Sequence, residues 1–158
     1  ELTHTWQFFA FGQTTQDPTK PGPNVTQLVP CHLTEGGANL LGAAIASPFS
    51  DWYSEATNVI VRRVVRDLGS APASRQDIVA LMQRSENWSD CQAGYGIGHL
   101  AYEWLVAEYG LQKYLALHTE IIRLSSFDLA LQSIYGFGKA DFYERSSTYI
   151  LDSIKKVL

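Results

Sequence analysis

From Ala93 onward the chain repeats apolar residues at helical spacing, and nowhere in its 158 residues does a stretch of convincing length alternate at the two-residue period of a strand. Ile97, Ala101, Trp104, Leu105 and Glu108 describe an amphipathic helix that ends at Tyr109-Gly110. Tyr114, Leu115, Leu117, Ile121 and Ile122 repeat the period over Leu111 to Leu124, and Phe127 to Tyr135 and Lys139 to Val157 add two more helices around Gly136-Phe137-Gly138. Upstream, Leu2 to Phe11 reads as a short helix ended by Gly12, and Pro18, Pro21, Gly22, Pro23 and Pro30 make Gln13 to Pro30 a surface loop. His32 to Ala46 is helical and rich in small residues (Gly36, Gly37, Ala38, Gly42, Ala43, Ala44), which let another backbone come close. Pro48 stops it, Ser50 or Asp51 can cap the next helix to about Leu68, and Ser74 to Ser85 gives one further short helix. The fold class is mainly α, without internal repeats, and a chain of this length with 46% apolar residues forms a single domain over 1–158.

Charge excludes two classes of partner. The net formal charge is -4 and no run of Lys or Arg occurs, so neither nucleic acid nor an anionic membrane has an electrostatic footprint. The longest nearly uncharged stretch, Thr34 to Ser50, contains Glu35 and several glycines, too polar and broken to span a bilayer. The opening residues do not form a secretion signal, so any signal would lie upstream. Cys31 and Cys91 can be a disulfide or two buried thiols, and Asn24-Val25-Thr26 and Asn87-Trp88-Ser89 are glycosylation sequons. Location stays open, with an extracellular or cell-envelope setting favoured over others.

Three short motifs, in order, carry chemistry. Glu1-Leu2-Thr3-His4 reads as the last four letters of H-E-x-x-H, in which two histidines one helical turn apart bind zinc and the glutamate accepts a proton from the attacking water. Leu33-Thr34-Glu35-Gly36-Gly37-Ala38 resembles the hydrophobic-x-Glu-Gly-x-Ala segment that brings a glutamate as third zinc ligand. Tyr95-Gly96-Ile97-Gly98 resembles the Tyr-x-x-Gly helix opening of aminopeptidase-like members of the same group, and Glu108-Tyr109-Gly110 and Tyr135-Gly136 match the Tyr-Gly spacing of their helical half. The chain thus resembles the gluzincins, zinc metallopeptidases with a glutamate ligand, over most of its length. The motif's first histidine would stand one place before Glu1.

That resemblance implies the helical C-terminal half of a zincin-like catalytic domain, a Zn²⁺ cofactor and a peptide or protein substrate. By position it makes Glu1 the general base, His4 and Glu35 zinc ligands, and Tyr95 the oxyanion donor. Catalytic zinc takes about three protein ligands and leaves one position for water, whose pKa falls to about 7. Since the first histidine and the upstream half of the domain are not in the sequence, the implied peptidase is inactive as this fragment. The alternative is a non-catalytic helical module on the same scaffold. Asn39, one turn after Glu35, can steady a ligand histidine or simply sit on the helix surface.

His32, His99 and His118 are read as satisfied or solvent-facing, with His99, four residues after Tyr95, the first rival ligand. Through the resemblance the cysteines also acquire a relation: Cys31 precedes Glu35 by four residues and Cys91 precedes Tyr95 by four, so if Glu35 and Tyr95 converge a disulfide becomes feasible. Trp6, Phe8, Phe9, Phe11, Trp52, Tyr53 and Trp88 are assigned to no pocket, and Arg62-Arg63 is read as a solvated helix face.

Overall fold

The computed structural model describes residues 28–46, 50–69 and 74–158. Glu1, His4 and the helix expected over Leu2 to Phe11 lie outside the described residues, as does nearly all of the Gln13 to Pro30 loop. Among the described residues there are seven α-helices, one 3₁₀ segment and no strand. They are α1 (Cys31–Ala46), α2 (Ser50–Leu68), α3 (Arg75–Arg84), a 3₁₀ turn (Trp88–Ala93), α4 (Gly94–Tyr109), α5 (Leu111–Leu124), α6 (Phe127–Tyr135) and α7 (Lys139–Val157).

The boundaries follow local chemistry. Ser74 caps α3 by accepting from the Asp77 amide, and the Asp77 carboxylate accepts from the Ser74 amide at 2.8 Å, a reciprocal box that satisfies two donors the helix itself cannot. Asp77 in consequence keeps its carboxyl below the usual range, through the hydrogen bonds from Ser74. Ser126 caps α6 through the Leu129 amide, while Gly136, at φ 79°, ends that helix in a left-handed conformation that few side chains tolerate.

Helix α4 is the centre of the molecule: α1, α2, α3, α5 and α7 all pack on it. Its contact with α1 is a backbone-to-backbone one. A methyl group on Gly36 would sit 2.6 Å from the His99 amide nitrogen, and one on Gly98 would collide with the carbonyl oxygen of His32. The small residues of α1 therefore serve a close helix crossing, and the partner is the glycine-spaced start of α4. Gly96, on the other side of α4, leaves room for Val64 of α2.

Further along α4 an aromatic core joins it to α5, α6 and α7. Tyr102, Tyr114, Phe142 and Tyr143 are fully buried, each worth about 1.5–3 kcal/mol of apolar burial. In their midst lies His32, completely inaccessible, with the Tyr102 hydroxyl 2.9 Å from Nδ1 and the Tyr143 hydroxyl 2.9 Å from Nε2. Burial, helped by the Lys139 charge, lowers its pKa to about 3, so the ring stays neutral. His118 is likewise enclosed, with Nδ1 bonded to the Tyr114 carbonyl at 3.1 Å.

Four ties fix the start of α1. The Cys31 and His32 amides donate to the carbonyls of Glu86 and Ser85, at 3.1 and 3.2 Å. The Trp88 indole donates to the Val29 carbonyl at 3.1 Å, and a disulfide joins Cys31 to Cys91 with Cα atoms 5.6 Å apart. No described helix is long and apolar enough to cross a membrane.

Candidate functional site

The α1–α4 crossing brings together two of the four residues singled out in the motifs. Glu35 is half-buried on the second turn of α1, one turn beyond Cys31. Tyr95 is the second residue of α4, one turn beyond Cys91. Because the disulfide clamps the upstream turns together and the glycines let the helices touch, the Tyr95 hydroxyl comes near enough to the Glu35 carboxylate for that carboxylate to raise its pKa. Asn39 ties the same crossing one turn further on, donating from Nδ2 to the Tyr95 carbonyl at 3.2 Å. Its role is thus to hold α4 against α1, on a backbone acceptor. Whether Glu1 and His4 approach this pair lies outside the described residues.

The electrostatics of the pair favour a phenol that keeps its proton. The adjacent Glu35 carboxylate raises the Tyr95 pKa above its ordinary value, partial burial pushes the same way, and nearby Arg63 opposes them. Arg63, expected on a solvated face, instead holds its guanidinium 5.3 Å from the centre of the Tyr95 ring, a cation over a π face. Its Nε is buried without a hydrogen-bond partner among the described residues. The signal in the sequence is its position between Val61 and Val64, which are both inaccessible.

His99 departs from expectation in the opposite sense. It is 1% exposed, yet neither ring nitrogen has a partner among the described residues, and burial lowers its pKa to about 4. A neutral imidazole that leaves both nitrogens without hydrogen bonds is costly, by about 1–3 kcal/mol for each buried group. It follows Tyr95 by one helical turn, on the backbone stretch that meets Gly36.

Metal-binding side chains come together at the same place. Among the described residues one such group is formed, by Cys31, Glu35 and Cys91, whose ligand atoms all lie within 4.8 Å of one another. With the sulfurs joined in a disulfide, the usable donor there is the Glu35 carboxylate. A half-buried carboxylate fits one oxygen ligand of a zinc site; His4, which would add a nitrogen ligand, lies outside the described residues. An open cavity of about 460 Å³ between the starts of α1, α6 and α7 is lined by Val29, Glu86, Asp128 and Lys139, and is separate from the Glu35–Tyr95 pair.

No protein-family model, no curated protein and no solved structure matches this chain. The residues themselves therefore carry the functional argument.

Proposed function

We propose that this chain is the helical, metal-site half of a gluzincin-type zinc peptidase. In this reading Glu35 holds the metal together with His4 and a histidine preceding Glu1, Glu1 is the general base, and Tyr95 is the oxyanion donor. The observation that supports it is the nearness of the Glu35 carboxylate to the Tyr95 hydroxyl, two residues far apart in sequence that the motifs assign to one site. A scaffold without chemistry has no need of a carboxylate and a phenol facing each other across a contact so close that only glycines fit.

Zinc, when bound, supplies a Lewis acid that lowers the pKa of water to about 7 and polarises a carbonyl. The chain's own residues supply the rest. A phenol whose pKa is raised remains a hydrogen-bond donor throughout the physiological range, so Tyr95 can turn from the Glu35 oxygen to a peptide oxygen as that oxygen gains charge. Glu1, as a carboxylate, accepts the proton released when water attacks and passes it to the leaving amine. Arg63, stacked on the Tyr95 ring, restrains that ring. Asn39 and the disulfide keep the two helices from parting. Disulfides persist in oxidising compartments, so an extracellular or cell-envelope location belongs to the same proposal.

The test is a pair of extended chains, kept oxidised, in which a helical turn is added before Glu1 and ends in either histidine or alanine. With histidine the chain should retain about one zinc after dialysis and the alanine form should not. Tyr95→Phe in the histidine form should leave zinc content unchanged while lowering chelator-sensitive peptide hydrolysis by about 10²-fold or more. Equal zinc content in the two extensions refutes the ligand set, and leaves the non-catalytic helical module.

A further inference from the structure

The side chains that clamp the site are themselves metal ligands held in a protected form. We propose that, once the Cys31–Cys91 disulfide is reduced, the two thiolates and Glu35 form a site for a thiophilic divalent cation, zinc foremost. This uses Glu35 but does not rest on the peptidase reading, since it needs neither Glu1, His4 nor Tyr95.

Distance is the first support. Zinc bonds thiolate sulfur at about 2.3 Å and carboxylate oxygen at about 2.1 Å, so tetrahedral angles put two such sulfurs roughly 3.8 Å apart and each sulfur roughly 3.6 Å from the oxygen. The sulfurs of Cys31 and Cys91 and a Glu35 oxygen already lie within 4.8 Å of one another. Breaking the bond lets the sulfurs relax outward toward the required spacing, and side-chain rotation supplies the remainder. The second support is the backbone: the 3.1 and 3.2 Å amide ties of Cys31 and His32, the Trp88–Val29 bond and the Gly36–Gly98 contact hold α1 near the 3₁₀ turn without help from the disulfide. The two cysteines are therefore still neighbours when reduced. The third is ligand capacity, because a carboxylate has about four lone-pair sites and can bind a cation while it keeps its other contacts.

The chemistry balances with a dithiol as reductant. One reductant thiolate attacks a sulfur of the disulfide, most openly at half-buried Cys91, since Cys31 is inaccessible. A mixed disulfide forms, the second reductant thiolate displaces it, and the reductant leaves as its own disulfide with Cys31 and Cys91 as thiols. The cation then displaces one proton from each thiol and takes Glu35 as its third protein ligand, leaving a fourth position for water. A disulfide sulfur carries no charge to offer, so the oxidised chain lacks this site. Oxidation state would thus decide whether Glu35 serves the thiolate site.

Cobalt(II) reports directly, because thiolate ligands give it an intense near-ultraviolet charge-transfer absorption. The 158-residue chain is titrated with cobalt under anaerobic conditions, oxidised or reduced by a phosphine, which becomes its oxide by taking oxygen from water and does not compete as a thiol. Reduced chain should show the band, saturating at one cobalt per chain and bleached by zinc; oxidised chain should not. Glu35→Gln should weaken reduced-state binding by about tenfold or more. Far-ultraviolet circular dichroism is followed in the same samples, with cobalt present during reduction. Absence of the band overturns the proposal whether or not the helices survive reduction, because a real site would hold the chain together in the presence of its metal. A band whose affinity is the same in Glu35→Gln also overturns it, since two thiols in a loosened chain would give that result.

Discussion

Two glycines of one helix should respond oppositely to the same methyl group. At Gly36 an added Cβ lies 2.6 Å from the His99 nitrogen and about as close to the carbonyl carbon of Gly98, backbone atoms that no rotamer change can move. Ordinary contact begins near 3.4 Å, so α1 and α4 must part by roughly 1 Å along their tightest line. Overpacking of this kind costs about 1–3 kcal/mol, and rigid backbone on both sides puts Gly36→Ala at the upper end. Alanine's better helix propensity returns about 1 kcal/mol, for a net loss of about 2 kcal/mol. At Gly42, in the same helix, nothing lies within 4 Å of the added atom, so only the propensity gain of about 1 kcal/mol remains. At about 2–4 °C per kcal/mol for a domain of this size, Gly36→Ala should lower Tm by roughly 4–8 °C and Gly42→Ala raise it by roughly 2–4 °C. Thermal melts followed by circular dichroism measure both. A Gly36→Ala chain that melts at or above Gly42→Ala refutes the close crossing, and with it the geometry that joins Glu35 to Tyr95.

Reduction of the disulfide in metal-free buffer releases a loop spanning 60 residues, for which chain entropy gives about 4 kcal/mol. Tm should fall by roughly 8–16 °C in reductant, and an unchanged melt would mean the bridge does not constrain the denatured chain. Stability should also fall in acid. His32, His99 and His118 keep pKa values of about 3, 4 and 4 in the fold against 6.5 when unfolded. Their contribution is thus complete above pH 6.5 and is lost as pH drops from there toward 3–4, because only the unfolded chain takes up the protons. At about pH 5 these three should bring proton uptake on unfolding close to three per chain, measured from the slope of stability against pH. A slope corresponding to less than about one proton would place the histidines in water.

The helices are legible in the sequence because their ends are written in short-range chemistry. Ser74 and Ser85 bracket α3, Gly110 separates α4 from α5, and Gly136 with Gly138 separates α6 from α7, each acting through its nearest neighbours. The 3₁₀ turn Trp88–Ala93 is not, since six residues of that type have no periodicity to read. The abundance of small residues in α1 announces a close approach but not its partner, which is 62 residues downstream from Gly36 at Gly98. Equal offsets from Cys31 to Glu35 and from Cys91 to Tyr95 make the disulfide foreseeable through the family resemblance alone. Arg63 and His99 escape sequence reasoning for one cause: a polar residue on a helix reads as solvated unless tertiary packing covers it, and the covering helix lies far away in sequence. Glu1 and His4 belong to residues outside those described, so two of the four implied site residues are legible only as sequence.

The histidine buried between two tyrosines gives the core a direction. A neutral imidazole owns one N–H and one lone pair, so Tyr102 and Tyr143 cannot play the same part: one hydroxyl donates to the ring and the other accepts from it. Either tautomer therefore lines up the O–H and N–H bonds of the row in a single sense between the middle of α4 and the start of α7, and exchanging the tautomers reverses it. Burial first, and then the charge of Glu86, itself paired with Lys139 at 2.8 Å, raise the Tyr143 pKa, so that phenol keeps its proton. The row is a polar wire through the interior whose two directions are the two tautomers of His32.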